Sequence, residues 1–330
     1  MFKSIYRTLL LLGIAFLIQA KIYSQKLNGL EGSGDSGTGI SATYAFDCIK
    51  LWHASKGGSR PTVVNMSWGY TYDFFPQYGV YRGTPWNYDE TPNLNWESIG
   101  FPPDGGGPNA RIDSVDIGIE AMIDAGIHIC IASGNLDYKI DVPGGIDYDN
   151  ICCPDGYSIE TTQLHYHRGS SPYSDRAFIV GCLSADPTWV EENGKEDKAY
   201  FSNCGPGVDL YSAGMSIMSA MSTDNVIQYE GYNPVDYYWN KEGETWQQCN
   251  LSGTSMASPN VCGYCAVVLE VNPGASPEEL KQFILNNAQD QLHSTGLNDD
   301  FGDSASVRGG GTKIMYNKFN NANSLKINKE

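Results

Sequence analysis

Gly253-Thr254-Ser255-Met256-Ala257-Ser258-Pro259 sets a small, sharply turning Gly-Thr pair before a serine and opens an apolar helix directly after it. A hydroxyl raised at a helix N-terminus is accessible, and the helix dipole favours the negative charge that develops when it attacks a carbonyl. A serine at such a place is usually no more than an N-cap. The surrounding chain therefore has to decide between the two readings.

Outward from that serine, the pattern alternates strand and helix. Lys21 to Leu27 reads as a strand, and Ser41 to Ser55 as a helix with Tyr44, Cys48, Leu51 and Trp52 on one face. Thr62 to Trp68 is an apolar strand, followed by a Pro-, Gly- and aromatic-rich insert from Tyr70 to Asn109. A helix over Ile112 to Ala125, a strand over Ile127 to Ala132, a long loop from Leu136 to Arg176 and strands at Ala177 to Leu183 and Val208 to Ala213 come next. A second insert, Thr223 to Gln248, precedes the serine helix of about Ser255 to Glu270, and Ser276-Pro277-Glu278-Glu279 opens a last helix with a capping box. Such alternation predicts an α/β fold, a doubly wound, mostly parallel sheet flanked by helices.

Several blocks then carry a resemblance. Leu251 to Gly263 is similar, almost residue for residue, to the serine motif of the subtilisin-like (S8 family) serine proteases, and the strand Val63-Val64-Asn65-Met66-Ser67-Trp68-Gly69 resembles the family's Asn-Met-Ser strand. Ala132-Ser133-Gly134-Asn135, Arg176 to Gly181, Tyr200 to Gly205 and Val208 to Gly214 look like further family blocks in the family's order. The resemblance spans about Lys21 to Ala288. It implies a subtilisin-like fold that hydrolyses peptide bonds through an acyl-enzyme, with Ser255 as nucleophile and Asn135 as oxyanion donor. Ser67, Trp68 and Gly69 would form one wall of the substrate cleft, where a peptide adds as a strand, and Ser133 and Gly134 the opposite wall.

A serine alone is a poor nucleophile and needs an oriented base. The family supplies Asp-[Ser/Thr]-Gly at the end of an apolar strand and His-Gly-Thr at a helix start; neither is recognisable here. None of His53, His128, His165, His167 and His293 is followed by Gly-Thr. Asp35-Ser36-Gly37 lies in a glycine-rich loop without a preceding strand, and His53 is too close to the Val63 strand to be the family's histidine. The resemblance thus implies an N-terminally incomplete protease, impaired unless Asp and His come from a separate chain. The alternative is a non-catalytic peptide-binding or structural module. The domain reading is a leader-like segment at 1–20, a partial peptidase domain at 21–290 and an irregular tail at 291–330.

The 330 residues can bury one large core, and the formal net charge of −17 argues against nucleic acid or an anionic membrane as partner, because those are bound chiefly by Lys and Arg. The partner expected is a peptide or protein substrate. No cofactor is required for the chemistry; the acidity also suits structural calcium. Lys3 and Arg7, the apolar run Leu9 to Ile18 and Gln19-Ala20 follow the plan of a secretory signal peptide, too short to span a membrane stably; the same residues also read as a truncation scar. The first reading implies a secreted protein. Nine cysteines are an odd number in a large chain, and Cys130, Cys182, Cys262 and Cys265 fall where small buried apolar residues belong. Cys152-Cys153 in a loop is the pair with redox potential, and His165-Tyr166-His167 reads as two solvated loop histidines rather than a metal pair.

Overall fold

Ser41 lies in extended backbone, and its hydroxyl accepts from the Tyr44 N–H to start helix α1 (Ala42–Ser55). In this computed structural model the described residues are 41–58, 60–91, 94–102, 107–185, 194–221, 237–238, 247–293, 306–315 and 326–327. The expected strand Lys21 to Leu27, Asp35, the leader-like segment and most of the second insert lie outside them.

The strands of the main sheet are β1 (Val63–Met66), β4 (His128–Ala132), β7 (Phe178–Leu183), β8 (Leu210–Ala213), β13 (Lys313–Ile314) and β12 (Gln289–Asp290), in that spatial order. All neighbouring pairs are parallel except β13 with β12. Alternation along the central strands divides the core. Ile129, Ile131 and Ile179 join α1 and α2 (Asp113–Asp124) on one face. Cys130, Phe178, Val180 and Cys182 join α3 (Thr254–Val271) and α4 (Pro277–Asn287) on the other. Period two in the strands and helices on both faces make the predicted three-layer α/β sandwich. The capping box at Ser276 and Glu279 is present in full.

Four readings of the sequence need correction. The Tyr70 to Asn109 insert and the Leu136 to Arg176 loop pair with each other: β2 (Pro76–Tyr81), β3 (Thr84–Asn87), β5 (Ile151–Pro154) and β6 (Leu164–His165) form an antiparallel sheet ordered β3-β2-β5-β6, separate from a small sheet of β9 (Ile217–Met221), β10 (Tyr237–Tyr238) and β11 (Gln247–Leu251). Its core is aromatic, with Trp86, Phe101, Tyr138 and Tyr166 buried, and scattered large rings in short strands leave no clean alternation to read. Cys152 and Cys153 therefore sit buried on a strand as free thiols, not in a loop. The irregular tail contributes β13. Finally, the α1 face carrying Tyr44, Cys48, Leu51 and Trp52 points outward, with Leu51 72% exposed. The helix docks instead through Phe46, which lies over Gly118 of α2 where a β-carbon would press 2.6 Å from the ring.

Candidate active site

Strands β1 and β4 run parallel side by side, so the segments that follow them emerge at the same edge of the sheet, the edge where open α/β sheets hold ligands. Ser67, Trp68 and Gly69 follow β1, and Ser133, Gly134 and Asn135 follow β4. Helix α3 packs against β1, β4, β7 and β8. Its N-terminus brings Ser255 to the same place: the Ser255 hydroxyl donates to the Ser67 carbonyl at 3.3 Å, and the Ser67 hydroxyl donates to the Ser255 carbonyl at 2.7 Å. Asn65 Nδ2 in turn donates to Ser67 Oγ at 2.9 Å.

The helix begins one residue before the sequence reading, at Thr254, with Gly253 as N-cap. Gly253 has no side chain to cap with, so Asn135 does it from the segment that follows β4. Its Oδ1 accepts from Thr254 N and from Thr254 Oγ1, both at 2.8 Å. Because a backbone N–H can only donate, the oxygen of the amide must face the helix, and Nδ2, next to Gly253, is left as a donor. Ser255, as the second helical residue, has an N–H that no intrahelical carbonyl can accept. Two donors at the positive end of the helix that carries the serine form an arrangement suited to a carbonyl oxygen that gains negative charge.

Asn203, to which sequence reasoning gave no individual role, fastens this loop. Its Nδ2 donates to Ser133 O at 2.7 Å, its Oδ1 accepts from Leu136 N at 3.3 Å and Tyr138 N at 2.8 Å, and its backbone N–H donates to Gly134 O at 3.0 Å. Gly134 has φ +109, and a β-carbon there would collide with Asn203 Nδ2, so both the conformation and the space demand glycine. Thr254 Oγ1 also accepts from Gly134 N at 3.2 Å. The signal was the Ser202-Asn203-Cys204-Gly205 block, whose role only the fold reveals. On the other wall Trp68 meets Tyr70 edge-on, with centroids 5.5 Å apart.

The histidines lie elsewhere. His53 Nδ1 pairs with Thr62 Oγ1 at 2.7 Å, before the start of β1, whereas Ser67 follows its end; five residue steps of extended chain separate those positions by about 16 Å. Thus His53 sits at the opposite edge of the sheet. There it shares a cleft of about 440 Å³ with His128, which burial holds at a pKa of about 4. Of the two histidines expected to be solvated, His165 is half-buried on β6 and His167 is not solvated at all. His167 is fully buried, pairing with Asn150 Nδ2 at 3.0 Å and Gly100 O at 2.8 Å, and burial lowers its pKa to about 4 despite neighbouring Asp147. Nearby, Lys139 and Arg82 both donate to Asp147 at 2.6 and 2.7 Å. Among the described residues no group of three or more His, Cys, Asp or Glu side chains is arranged to hold a metal ion, and no helix is long and apolar enough to cross a membrane.

The family model described as the Subtilase family matches residues 11–303. Subtilisin-like protease 3 of Saccharomyces cerevisiae is 28% identical over 212 residues, which is 61% of this chain and 32% of that protein. Serine protease AprX of Bacillus subtilis is 27% identical over 174 residues, 51% of this chain and 31% of its own length. The chain spans about a third or less of the curated relatives it matches first. Among solved structures, a psychrophilic protease (S41) superposes with a TM-score of 0.46 at 18% identity, covering 85% of this chain and 65% of the other. Fervidolysin from Fervidobacterium pennivorans does so with 0.45 at 18%, covering 87% and 29%.

Proposed function

Because the chain belongs to the subtilase family of serine proteases, we propose that the edge of the sheet bearing Ser255 and Asn135 is a peptide-binding cleft equipped for acyl transfer. Ser255 is the nucleophile, Asn135 Nδ2 and the Ser255 N–H receive the oxyanion, and Ser67 to Gly69 and Ser133 to Gly134 flank an extended peptide backbone. The observation that carries this reading is the Asn135 amide, whose oxygen accepts from Thr254 N and Oγ1 at 2.8 Å, so that Nδ2 remains the donor at the start of the Ser255 helix.

Hydrolysis asks for more. Attack forms an O–C bond and expels the serine proton, which an oriented base must accept and then deliver to the leaving amine. Among the described residues the Ser255 hydroxyl donates to a backbone carbonyl, which takes no proton. Full turnover in this reading depends on an Asp-His pair from outside the described residues, on this chain or a separate one. The same hydrogen bond favours a second reading, in which the chain binds peptides without cleaving them.

Calorimetric titration with an extended peptide aldehyde, together with fluorophosphonate labelling, tests both. Binding with rapid labelling at Ser255 supports the protease; binding with slow labelling supports the peptide-binding module; absence of binding at millimolar aldehyde removes both.

A further inference from the structure

The loop that carries Asn135 is held from beneath by a residue of the tail. Asp137 has left-handed backbone, φ +52, an uncommon state for a residue with a side chain. Its carboxylate lies between two buried cations: Lys198 Nζ at 2.9 Å from Oδ1 and Arg308 Nη2 at 2.6 Å from Oδ2. Arg308 Nη1 also donates to the Asp137 carbonyl, and the Asp137 N–H donates to Phe201 O at 2.9 Å. Lys198 divides its remaining protons between Ala199 O and Ser202 O, next to Asn203. Arg308 is 1% exposed and itself left-handed, φ +46, with Ser306 and Val307 equally buried beside it. Gly310 lies so close to the backbone of Gly205 that a β-carbon would meet its carbonyl oxygen at 2.5 Å.

Two strained non-glycine residues, more than a hundred positions apart, thus face each other across a buried ion pair two residues along the chain from the candidate oxyanion donor. Burying both cations is costly unless each is paired in good geometry. A cluster built only for stability is served as well by apolar packing; this one fixes the turn two residues after Asn135. Asp137 and Lys198 lie within the stretch that matches the family, whereas Arg308 lies beyond its end at residue 303.

We propose that Arg308 and Lys198 are positioning residues of the peptide cleft: through Asp137 they hold the Asn135 loop in the conformation that aims Nδ2 at the substrate carbonyl. This rests on the proposed role of Asn135 only for its consequence on binding, not for its effect on the loop.

The test uses the full chain with Arg308→Gln, Arg308→Lys and Asp137→Asn, the last keeping the side-chain shape should Arg308→Gln fail to fold. Amide exchange is followed at Leu136 and Tyr138, whose N–H groups are tied to Asn203, and at Ile129 and Val180 in the sheet as reference. The expected result is exchange faster by about tenfold or more at Leu136 and Tyr138 alone, the factor that goes with one lost charge-assisted hydrogen bond, with partial recovery in Arg308→Lys. Peptide-aldehyde affinity falls in parallel. Unchanged loop exchange in a folded variant, or acceleration equal in loop and sheet, overturns the proposal. If the unsubstituted chain binds no aldehyde, the proposed function fails while the exchange data still decide this inference.

Discussion

The carbonyl of Ser255 is hydrogen-bonded by the hydroxyl of Ser67 at 2.7 Å, because Pro259, four residues further along α3, has no N–H to give it. A helix that needs its first turn open at the cleft thereby acquires a fixed strut to the strand wall. The proline creates the vacancy, and the strand serine fills it.

Ser67→Ala leaves that carbonyl unpaired in a half-buried position, so a loss of about 1–3 kcal/mol is expected in urea unfolding. Pro259→Ala restores an N–H at the proper place in the helix. In its background the cost of Ser67→Ala should drop by half or more, and equal costs in the two backgrounds would show that the two groups do not share this carbonyl.

Asn135→Asp separates capping from donation. The carboxylate still accepts from Thr254 N and Oγ1 and sits favourably at a helix N-terminus, so thermal stability should change little. The outward donor is gone, and peptide-aldehyde affinity should fall by roughly tenfold or more. Asn135→Ala should lose both affinity and about 1 kcal/mol of stability.

In the peptide-binding reading, labelling of Ser255 by a fluorophosphonate should be very slow in the isolated chain, since absence of the base from a serine–histidine pair costs on the order of a millionfold in turnover. The rate should show no inflection near pH 6.5, the ordinary histidine range. Rapid stoichiometric labelling would mean that an imidazole reaches Ser255 in solution.

His128 and His167 are held neutral by burial, with pKa values lowered from 6.5 to about 4. The unfolded chain then binds more protons than the folded one between about pH 6.5 and 4. Stability is therefore complete above pH 6.5 and declines as the pH falls through that window, by on the order of 3 kcal/mol for each histidine. His167→Gln should flatten this slope in pH-dependent unfolding. A slope unaltered by the substitution would place the acid sensitivity elsewhere.

The serine block, the strand that leads into Ser67 and the turn at Asn135 were legible because each is a contiguous string at the end of a strand or start of a helix, where spacing dictates geometry. What was hidden shares one property: it joins positions far apart in the chain. Nothing in the sequence around Arg308 points to Asp137, and the pairing of Pro76–Tyr81 with Ile151–Pro154 depends on tertiary packing of aromatic rings. Tyr44, Leu51 and Trp52 mark the converse error, since periodicity identifies an apolar face but not the side on which a neighbour will pack. The solvated reading of His167 failed because loop histidines are usually exposed, and its partners Asn150 and Gly100 come from separate segments.

The central claim, that Ser255 and Asn135 jointly receive a peptide carbonyl, is tested most directly by titrating the chain with an extended peptide aldehyde while following the Asn135 side-chain amide signals by NMR. The account predicts a saturable shift of the Nδ2 protons together with the Ser255 N–H, reduced in Ser255→Ala and absent in Asn135→Asp. Signals unmoved at millimolar aldehyde, in a chain shown to be folded, would contradict it.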